Sequence, residues 1–301
     1  MNSKIYDLII IGAGPAGLTA AVYSSRYGLD TLVLGALMGG LAGEASEVCN
    51  FPSYGKINGF ELMNKMIKQV KEMGVEIKPE KVGEIKKTKN FEITTNKTKY
   101  FSKKIILATG SERKSLGIDR EKELTGKGIS YCATCDAGFY KNKTVGVFGG
   151  GNAALSAALL LSKFAKKVYI IYRRDKFFRA ENAWIKDIEK NDKIEPIFNS
   201  MITQLVGKER LEAVELNKEK ILKLDGLFIE IGSDPQIDLA KNIGIKLNEK
   251  EVIVDKNQRT NIKGVFVAGD VTNNPLKQIV TACAEGAIAA NSAYEEIEQE
   301  K

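Results

Sequence analysis

The sequence predicts an α/β protein in which one strand–glycine loop–helix unit is interrupted by a second copy of itself. Three observations predict it. An apolar run, Asp7–Ile11, leads into Gly12-Ala13-Gly14-Pro15-Ala16-Gly17. A second run, Thr144–Phe148, leads into Gly149-Gly150-Gly151-Asn152-Ala153-Ala154. Between the two loops lies Cys132-Ala133-Thr134-Cys135-Asp136. At 301 residues the chain is long enough for two domains of ordinary size.

Taken in order, Asp7–Ile11 reads as a buried strand, Leu18–Tyr27 as a helix and Thr31–Leu34 as a second strand, which is a βαβ opening. Phe60–Met73 has helical spacing, with Leu62, Met66 and Val70 on one face. Phe91–Thr95 and Ile105–Leu107 are strand-like, the latter ending in Ala108-Thr109-Gly110. The pattern then restarts as an internal repeat: strand Thr144–Phe148, helix Ala153–Phe164, strand Val168–Tyr172. Short strands such as Leu227–Ile231 follow. The last segment holds a strand, Gly264–Asp270, ending in Gly269-Asp270, and an alanine-rich helix, Ile279–Ala290. The crossings are expected on the turn residues near Ser111–Leu116 and Gly232–Asp238. The expected domains are 1–113 with 242–301, and an inserted domain, 114–241, that carries the cysteine pair.

Hydrophobic residues make up 44% and charged residues 28%, the profile of a soluble globular protein. Apolar runs such as Leu8–Ile11 are too short to span a bilayer. Met1–Lys4 leads into a strand-like run without a small-residue cleavage site, so the expected location is the cytoplasm. The net charge of +7 comes from lysines spread along the chain. There is no arginine-rich tract and no aromatic-basic interleaving, which points away from nucleic acid and leaves steering of an acidic protein partner. The chain has no histidine, which excludes a histidine base and imidazole metal ligands. With Cys49 and Cys283 as the remaining thiols there is no second C-x-x-C for a zinc site. In a reducing cytosol, Cys132 and Cys135 therefore read as a redox pair.

Gly12-x-Gly14-x-x-Gly17 follows a strand and opens a helix, the context of a dinucleotide fingerprint. The first glycine permits the turn, the second lets a pyrophosphate approach the backbone, and the third lets helix and strand pack. The acid expected about twenty residues on is missing, because the second strand ends Leu34-Gly35. Gly149-x-Gly151-x-x-Ala154 repeats the fingerprint. Arg173, Arg174 and Arg179 lie beyond its second strand, where guanidinium groups suit a 2′-phosphate and favour NADPH over NADH. The fold class expected is thus α/β with two Rossmann-like dinucleotide-binding domains, the second inserted into the first. A thiol pair two residues apart can close a disulfide and reopen by thiolate exchange. Asp136 beside it can give or take the proton that this requires, or cap a turn. A carboxylate at Gly269-Asp270 can accept from a ribityl or ribose hydroxyl. Lys277-Gln278-Ile279 opens the last helix, whose N-terminus can face an electron-rich ring oxygen. Cys283 reads as a core thiol.

Together these residues resemble the bacterial low-molecular-weight thioredoxin reductases, over nearly the whole chain from Lys4 to about Ala293. The resemblance rests on Gly12–Gly17, Asn50-Phe51-Pro52, Ala108-Thr109-Gly110, Cys132–Asp136, Gly149–Ala154, Arg173-Arg174, Gly269-Asp270 and Gln278–Ala290. It implies FAD held by Gly12, Gly14, Pro15, Ala16, Gly17, Asn50, Thr109, Gly110, Gly269, Asp270, Lys277, Gln278 and Ile279. It implies NADPH held by Gly149, Gly151, Asn152, Ala153, Ala154, Arg173, Arg174 and Arg179, and no metal. It implies catalysis by Cys135 facing the flavin, Cys132 meeting a thioredoxin-like partner, and Asp136 as acid, in a homodimer. The sequence departs from the family at Gly39-Gly40-Leu41, at Cys49, at Asp136-Ala137-Gly138, and at Ala154-Leu155-Ser156, where the helical carboxylates are gone. It departs again at Tyr172, with Arg179 one place late. Some relatives take electrons from reduced ferredoxin, so ferredoxin is the alternative donor. A redox sensor without turnover is the reading from a different class.

Overall fold

The computed structural model describes residues 4–45, 47–178 and 180–301. In chain order it begins β1 (Ile5–Ile11), α1 (Pro15–Arg26), β2 (Thr31–Leu34), α2 (Gly59–Glu72), β3 (Glu76–Lys78), β4 (Val82–Lys87), β5 (Phe91–Thr95), β6 (Lys99–Leu107) and β7 (Ser111–Arg113). It continues α3 (Glu121–Leu124), β8 (Ile129–Ser130), α4 (Ala133–Asp136), β9 (Thr144–Phe148), α5 (Asn152–Ser162), β10 (Lys167–Ile171), α6 (Asn182–Glu189), β11 (Ile194–Ile197), β12 (Ile202–Val206), β13 (Ala213–Leu216), β14 (Lys220–Lys223) and β15 (Gly226–Ile229). It closes with β16 (Ser233–Pro235), α7 (Asp238–Asn242), β17 (Leu247–Asn248), β18 (Glu251–Val252), β19 (Val265–Val267) and α8 (Ile279–Glu298).

The chain divides into two units. The first is Met1–Gly43, Val48–Glu112 and Asp234–Lys301; the second is Glu44–Glu47 with Arg113–Ser233. The return crossing falls at Ser233/Asp234, inside the Gly232–Asp238 turn and ahead of the 241/242 bound expected for the inserted domain. The reason is packing: Ala240 and Ile245 are buried in the core of the first unit beside Ile85, Phe91 and Val252.

The main sheet of the first unit runs β3-β2-β1-β6-β5-β4, with β19 also on β6. The strands β3, β2, β1, β6 and β19 pair in parallel, and β5 turns antiparallel on β6. A parallel sheet is covered on both faces, so β1 is apolar without alternation from Leu8 to Ile11. Its alternation instead sorts residues between two cores. Leu8 and Ile10 pack with Ala20, Ala21, Ala289 and Ala290, and Ile9 and Ile11 pack with Ile85 and Ile93. The alanines let α1 and α8 lie close: a Cβ on Gly286 would stand 2.1 Å from the carbonyl oxygen of Ala16.

The second unit repeats the arrangement. Its parallel sheet runs β11-β10-β9-β15-β8. Val145, Val147, Val168 and Ile170 face the α5 side, with Leu155 and Leu161. Phe148, Ile171, Leu227 and Ile229 face Leu205, Val214 and Leu216 of an antiparallel β12-β13-β14 sheet.

The contact at Gly286 is testable. Gly286→Ala is expected to cost about 1–3 kcal/mol, as overpacking against a backbone cannot relax by a rotamer change. Gly55→Ala, where no described atom lies within 4 Å of the new Cβ, should stay within about 0.5 kcal/mol. Chemical denaturation of the two variants measures the difference.

Candidate functional site

The first glycine loop joins β1 to α1. Gly12 has φ +123°, and a Cβ there would lie 2.0 Å from Ala108 O. A Cβ on Gly17 would lie 1.9 Å from Gly12 O. Both positions are closed by backbone. Gly14 differs: its nearest neighbours, at Gly40 Cα and Gly39 O, are 3.8 and 3.9 Å from a built Cβ. The middle glycine is the one that leaves room for a ligand. Pro15 begins α1 where an amide would lack a helical partner in any case, and among the described residues no side chain caps the helix. The loop thus presents free backbone amides and a helix dipole, which fits a pyrophosphate. The missing acid has a steric account. A Cβ on Gly35 would stand 2.6 Å from Ala13 Cβ, so the end of β2 is packed against the loop itself.

At the C-terminal end of β19 the chain turns at Gly269-Asp270. The turn is built on Glu285, which sequence reading missed. Glu285 is 4% exposed and accepts from Gly269 N–H at 2.7 Å, Thr272 Oγ1 at 2.9 Å and Asn274 Nδ2. A lone carboxylate on the buried face of an alanine-rich helix was the signal for it. Burial pushes the Asp270 carboxyl above its ordinary value; Lys277 opposes this and Glu285 adds to it. Lys277 donates to Thr272 O and pairs with Glu251 at 3.0 Å. Gln278 caps α8 in a reciprocal box with Thr281, and Ile279 is the first helical residue.

Several expected site residues meet in this unit. Asn50 Nδ2 donates to Gln278 Oε1 at 2.8 Å. Gly269 lies against Ala16, with a built Cβ 3.0 Å from its methyl. Thr109 Oγ1 donates to Gln236 O at 2.8 Å, and Gly110 takes φ +65°. Cys283 sits under α1, its thiol pushed up by burial and its Sγ 3.9 Å from Pro15 O. Cys49 is exposed and free.

In the second unit Gly149 has φ +150°, and a Cβ there would lie 2.1 Å from Glu230 O. Glu230 pairs with Arg113 at 2.7 Å, and burial raises its carboxyl despite that partner. Around Gly151 no described atom lies within 4 Å of a built Cβ. Ala154 stands where a third glycine would, fully buried and 3.1 Å from the Gly149 position. The same division of labour thus recurs: a closed first position and an open one after it. Asn152 begins α5 with its amide turned to Glu181, and Ala153 beside it is exposed. Arg173 is exposed; the Arg174 guanidinium lies over the Phe178 ring at 4.5 Å. Arg179 is outside the described residues.

Cys132 and Cys135 form a disulfide, their Cα atoms 5.3 Å apart. Cys132 caps α4, and its Sγ accepts from Cys135 N–H at 3.2 Å. The approach to Cys132 is fixed from the other side. Its N–H donates to Ser130 Oγ at 3.0 Å, and the Tyr131 hydroxyl donates to Glu121. Glu121, 5% exposed, also accepts from Leu116 N–H at 2.7 Å and Gly117 N–H at 2.9 Å. Burial, with Glu121, pushes the Tyr131 phenol well above its usual range. Cys135 is exposed, Cys132 and Asp136 half-buried. Asp136 N–H donates to Cys132 O at 3.2 Å. Such a site can exchange a disulfide with a protein thiol pair. Among the described residues no helix is long and apolar enough to cross a membrane.

Comparison with known proteins gives a consistent picture. The sequence profile of the pyridine nucleotide-disulphide oxidoreductases matches residues 6–286. Thioredoxin reductase of Listeria monocytogenes is 40% identical over 308 aligned positions, spanning 100% of this chain and 96% of that protein. The crystal structure of thioredoxin reductase from Lactococcus lactis matches with a TM-score of 0.92 and 36% identity, over 98% of this chain and 99% of that one. A ferredoxin-flavin thioredoxin reductase from Clostridium acetobutylicum matches with a TM-score of 0.54 and 31% identity, over 98% of both chains.

Glu285→Ala is expected to destabilise the first unit by about 2–3 kcal/mol, because the donors at Gly269 N–H and Asn274 Nδ2 lose their acceptor. Glu285→Gln keeps one acceptor oxygen and should lose less. Urea midpoints of the two variants test this order.

Proposed function

The chain belongs to the pyridine nucleotide-disulphide oxidoreductase family and is a flavin-dependent thioredoxin-disulfide reductase, and we propose that NADPH is its electron donor. The observation that carries the reading is the Cys132–Cys135 disulfide, set in a chain with two dinucleotide loops. Bound FAD supplies a carrier that takes up an electron pair as hydride from a nicotinamide and returns it to a disulfide.

The residues fall into three roles. Gly12, Gly14, Pro15, Ala16 and Gly17 hold the FAD pyrophosphate. Asp270, on the turn with Gly269, accepts from a sugar hydroxyl. Asn50, Thr109, Gly110, Lys277, Gln278 and Ile279 frame the rest of the cofactor. Gly149, Gly151, Asn152, Ala153 and Ala154 form the NADPH loop, with Arg173, Arg174 and Arg179 for the 2′-phosphate. In the reduced dithiol, the Cys132 thiolate attacks the disulfide of a thioredoxin-like partner and makes a mixed disulfide. Cys135 then attacks Cys132 Sγ. This re-forms the Cys132–Cys135 bond and releases the partner as its dithiol. Asp136 delivers the proton that the departing thiolate takes up. By family resemblance, the reading includes a homodimer in the cytoplasm.

A second reading keeps the dithiol but takes electrons from reduced ferredoxin. It is favoured by the similarity to the Clostridium acetobutylicum protein and by the second loop, which carries Leu155 and Ser156 rather than carboxylates.

Cys135→Ser is expected to keep its flavin and to lose thioredoxin reduction by about a hundredfold or more. Turnover near that of the unsubstituted protein would sink the dithiol assignment. For the donor, the flavin absorbance is followed anaerobically as stoichiometric NADPH, then NADH, is added. Rapid bleaching by NADPH with little effect of NADH is expected. Bleaching by dithionite and reduced ferredoxin, but by neither nucleotide, would move the assignment to ferredoxin.

A further inference from the structure

Asn152 opens α5 immediately after the second glycine loop, yet its side chain is committed to the protein. Its Nδ2 donates to Glu181 Oε1 at 2.7 Å, and its Oδ1 accepts from the Glu181 backbone N–H at 2.7 Å. Two short, reciprocal bonds fix both the side chain and the backbone of residue 181. Neither group is buried: both bonds are exposed. Exposed polar pairs contribute little to folding stability, so this pair calls for another purpose.

The same loop is touched again from the other end of the segment. Tyr172, the residue after β10, lays its ring on Gly150, where a built Cβ would stand 2.5 Å from the ring carbons. Tyr172 stacks on Phe177 at 6.1 Å between centroids, and Phe177 meets Phe198 edge-on at 5.1 Å. Tyr172 O accepts from Ser200 N–H at 3.0 Å, and Arg174 O accepts from Asn199 N–H at 2.9 Å. The segment that carries Arg173 and Arg174 is therefore pinned at both ends to the glycine loop: by Tyr172 on Gly150, and by Glu181 on Asn152.

We propose that the Asn152–Glu181 pair is a positioning device that holds the arginine segment against the second glycine loop and so sets selectivity for a 2′-phosphorylated nucleotide. Glu181 acts through the segment, not by touching the nucleotide. A guanidinium gains its geometric advantage over a mobile point charge only when its backbone is fixed, because ordering the segment on binding subtracts from the affinity. The effect is confined to the 2′-phosphate, since the glycine loop that takes the pyrophosphate is built separately on Gly149 and Gly151. The inference rests on the reading of NADPH as donor.

The test uses the full-length flavoprotein and Glu181→Ala and Glu181→Gln variants. Binding of 2′,5′-ADP is measured by calorimetry, and KM and kcat are measured with NADPH and NADH. For Glu181→Ala, the Kd of 2′,5′-ADP and the KM of NADPH should rise about tenfold, the size of one well-placed charge-assisted contact. The KM of NADH and the kcat should move less than about twofold. Both variants keep the residue-181 backbone N–H as donor to Asn152 Oδ1; Glu181→Gln also keeps an acceptor for Asn152 Nδ2, and should bind nearly as the unsubstituted protein does. Trp184, the one tryptophan of the sequence, lies in α6 and reports by its emission that this helix is still docked. If Glu181→Ala binds 2′,5′-ADP unchanged, or if both variants bind it more tightly because a repelling carboxylate has gone, the inference is overturned and the donor reading stands. If the unsubstituted protein binds neither 2′,5′-ADP nor NADPH, the donor reading fails first and this inference with it.

Discussion

At Gly12, Gly17 and Gly286 a backbone lies against the carbonyl of another segment at a distance no methyl group could share. These contacts set the first loop. Gly12 seats it on the end of β6 at Ala108, and Gly17 closes α1 down onto β1. Gly286 then brings α8 onto the first turn of α1. The Gly269-Asp270 turn is hydrogen-bonded to Glu285, the neighbour of Gly286 on the same helix. Close backbone packing at one glycine therefore positions a carboxylate several residues away. A longer side chain at any of the three would displace the turn as well as the helix.

Buried carboxylates do a second part of the work. Glu285 gathers the N–H and hydroxyl donors of the Gly269–Asn274 turn, and Glu121 gathers those of Leu116, Gly117 and Tyr131. Each is a single acceptor with several donors converging on it, which is how a turn can be rigid without regular secondary structure. Each also stands next to chemistry: one braces Asp270, the other the residue before Cys132. Neither belongs to the reacting groups, and both are needed for those groups to be where they are.

Much of this was legible in the residues. The strands Thr31–Leu34, Phe91–Thr95 and Thr144–Phe148 have the bounds read from their apolar runs. Both glycine loops stand between strand and helix as their spacing implies. The last helix runs on to Glu298, beyond the Ala290 expected, because Ala293 and Ile297 continue its buried stripe after the alanine run stops. The Gly232–Asp238 turn contains the return crossing; the bound at 242 lies past it, because nothing local tells which core Ala240 will join. Glu285 stood out as a lone carboxylate in an alanine-rich helix, but what it and Glu121 hold was not legible. Their donors come from turns whose shape only the tertiary structure defines. Gly35 likewise looked like a lost acid until its contact with Ala13 gave it a steric purpose.

Ser111–Arg113 and Ser233–Pro235 pair as a short two-stranded ribbon. On either side of it, Gln236 N–H donates to Gly110 O and Lys114 N–H to Gly232 O, both at 2.9 Å. The inserted unit therefore starts and finishes at points that are neighbours in space. In evolutionary terms such a unit is a cassette: two adjacent junctions define it, and the sheet it interrupts keeps its own strand order whatever is spliced between them. Exchange of the inserted unit at these two junctions would leave the strand order of the first unit's sheet intact.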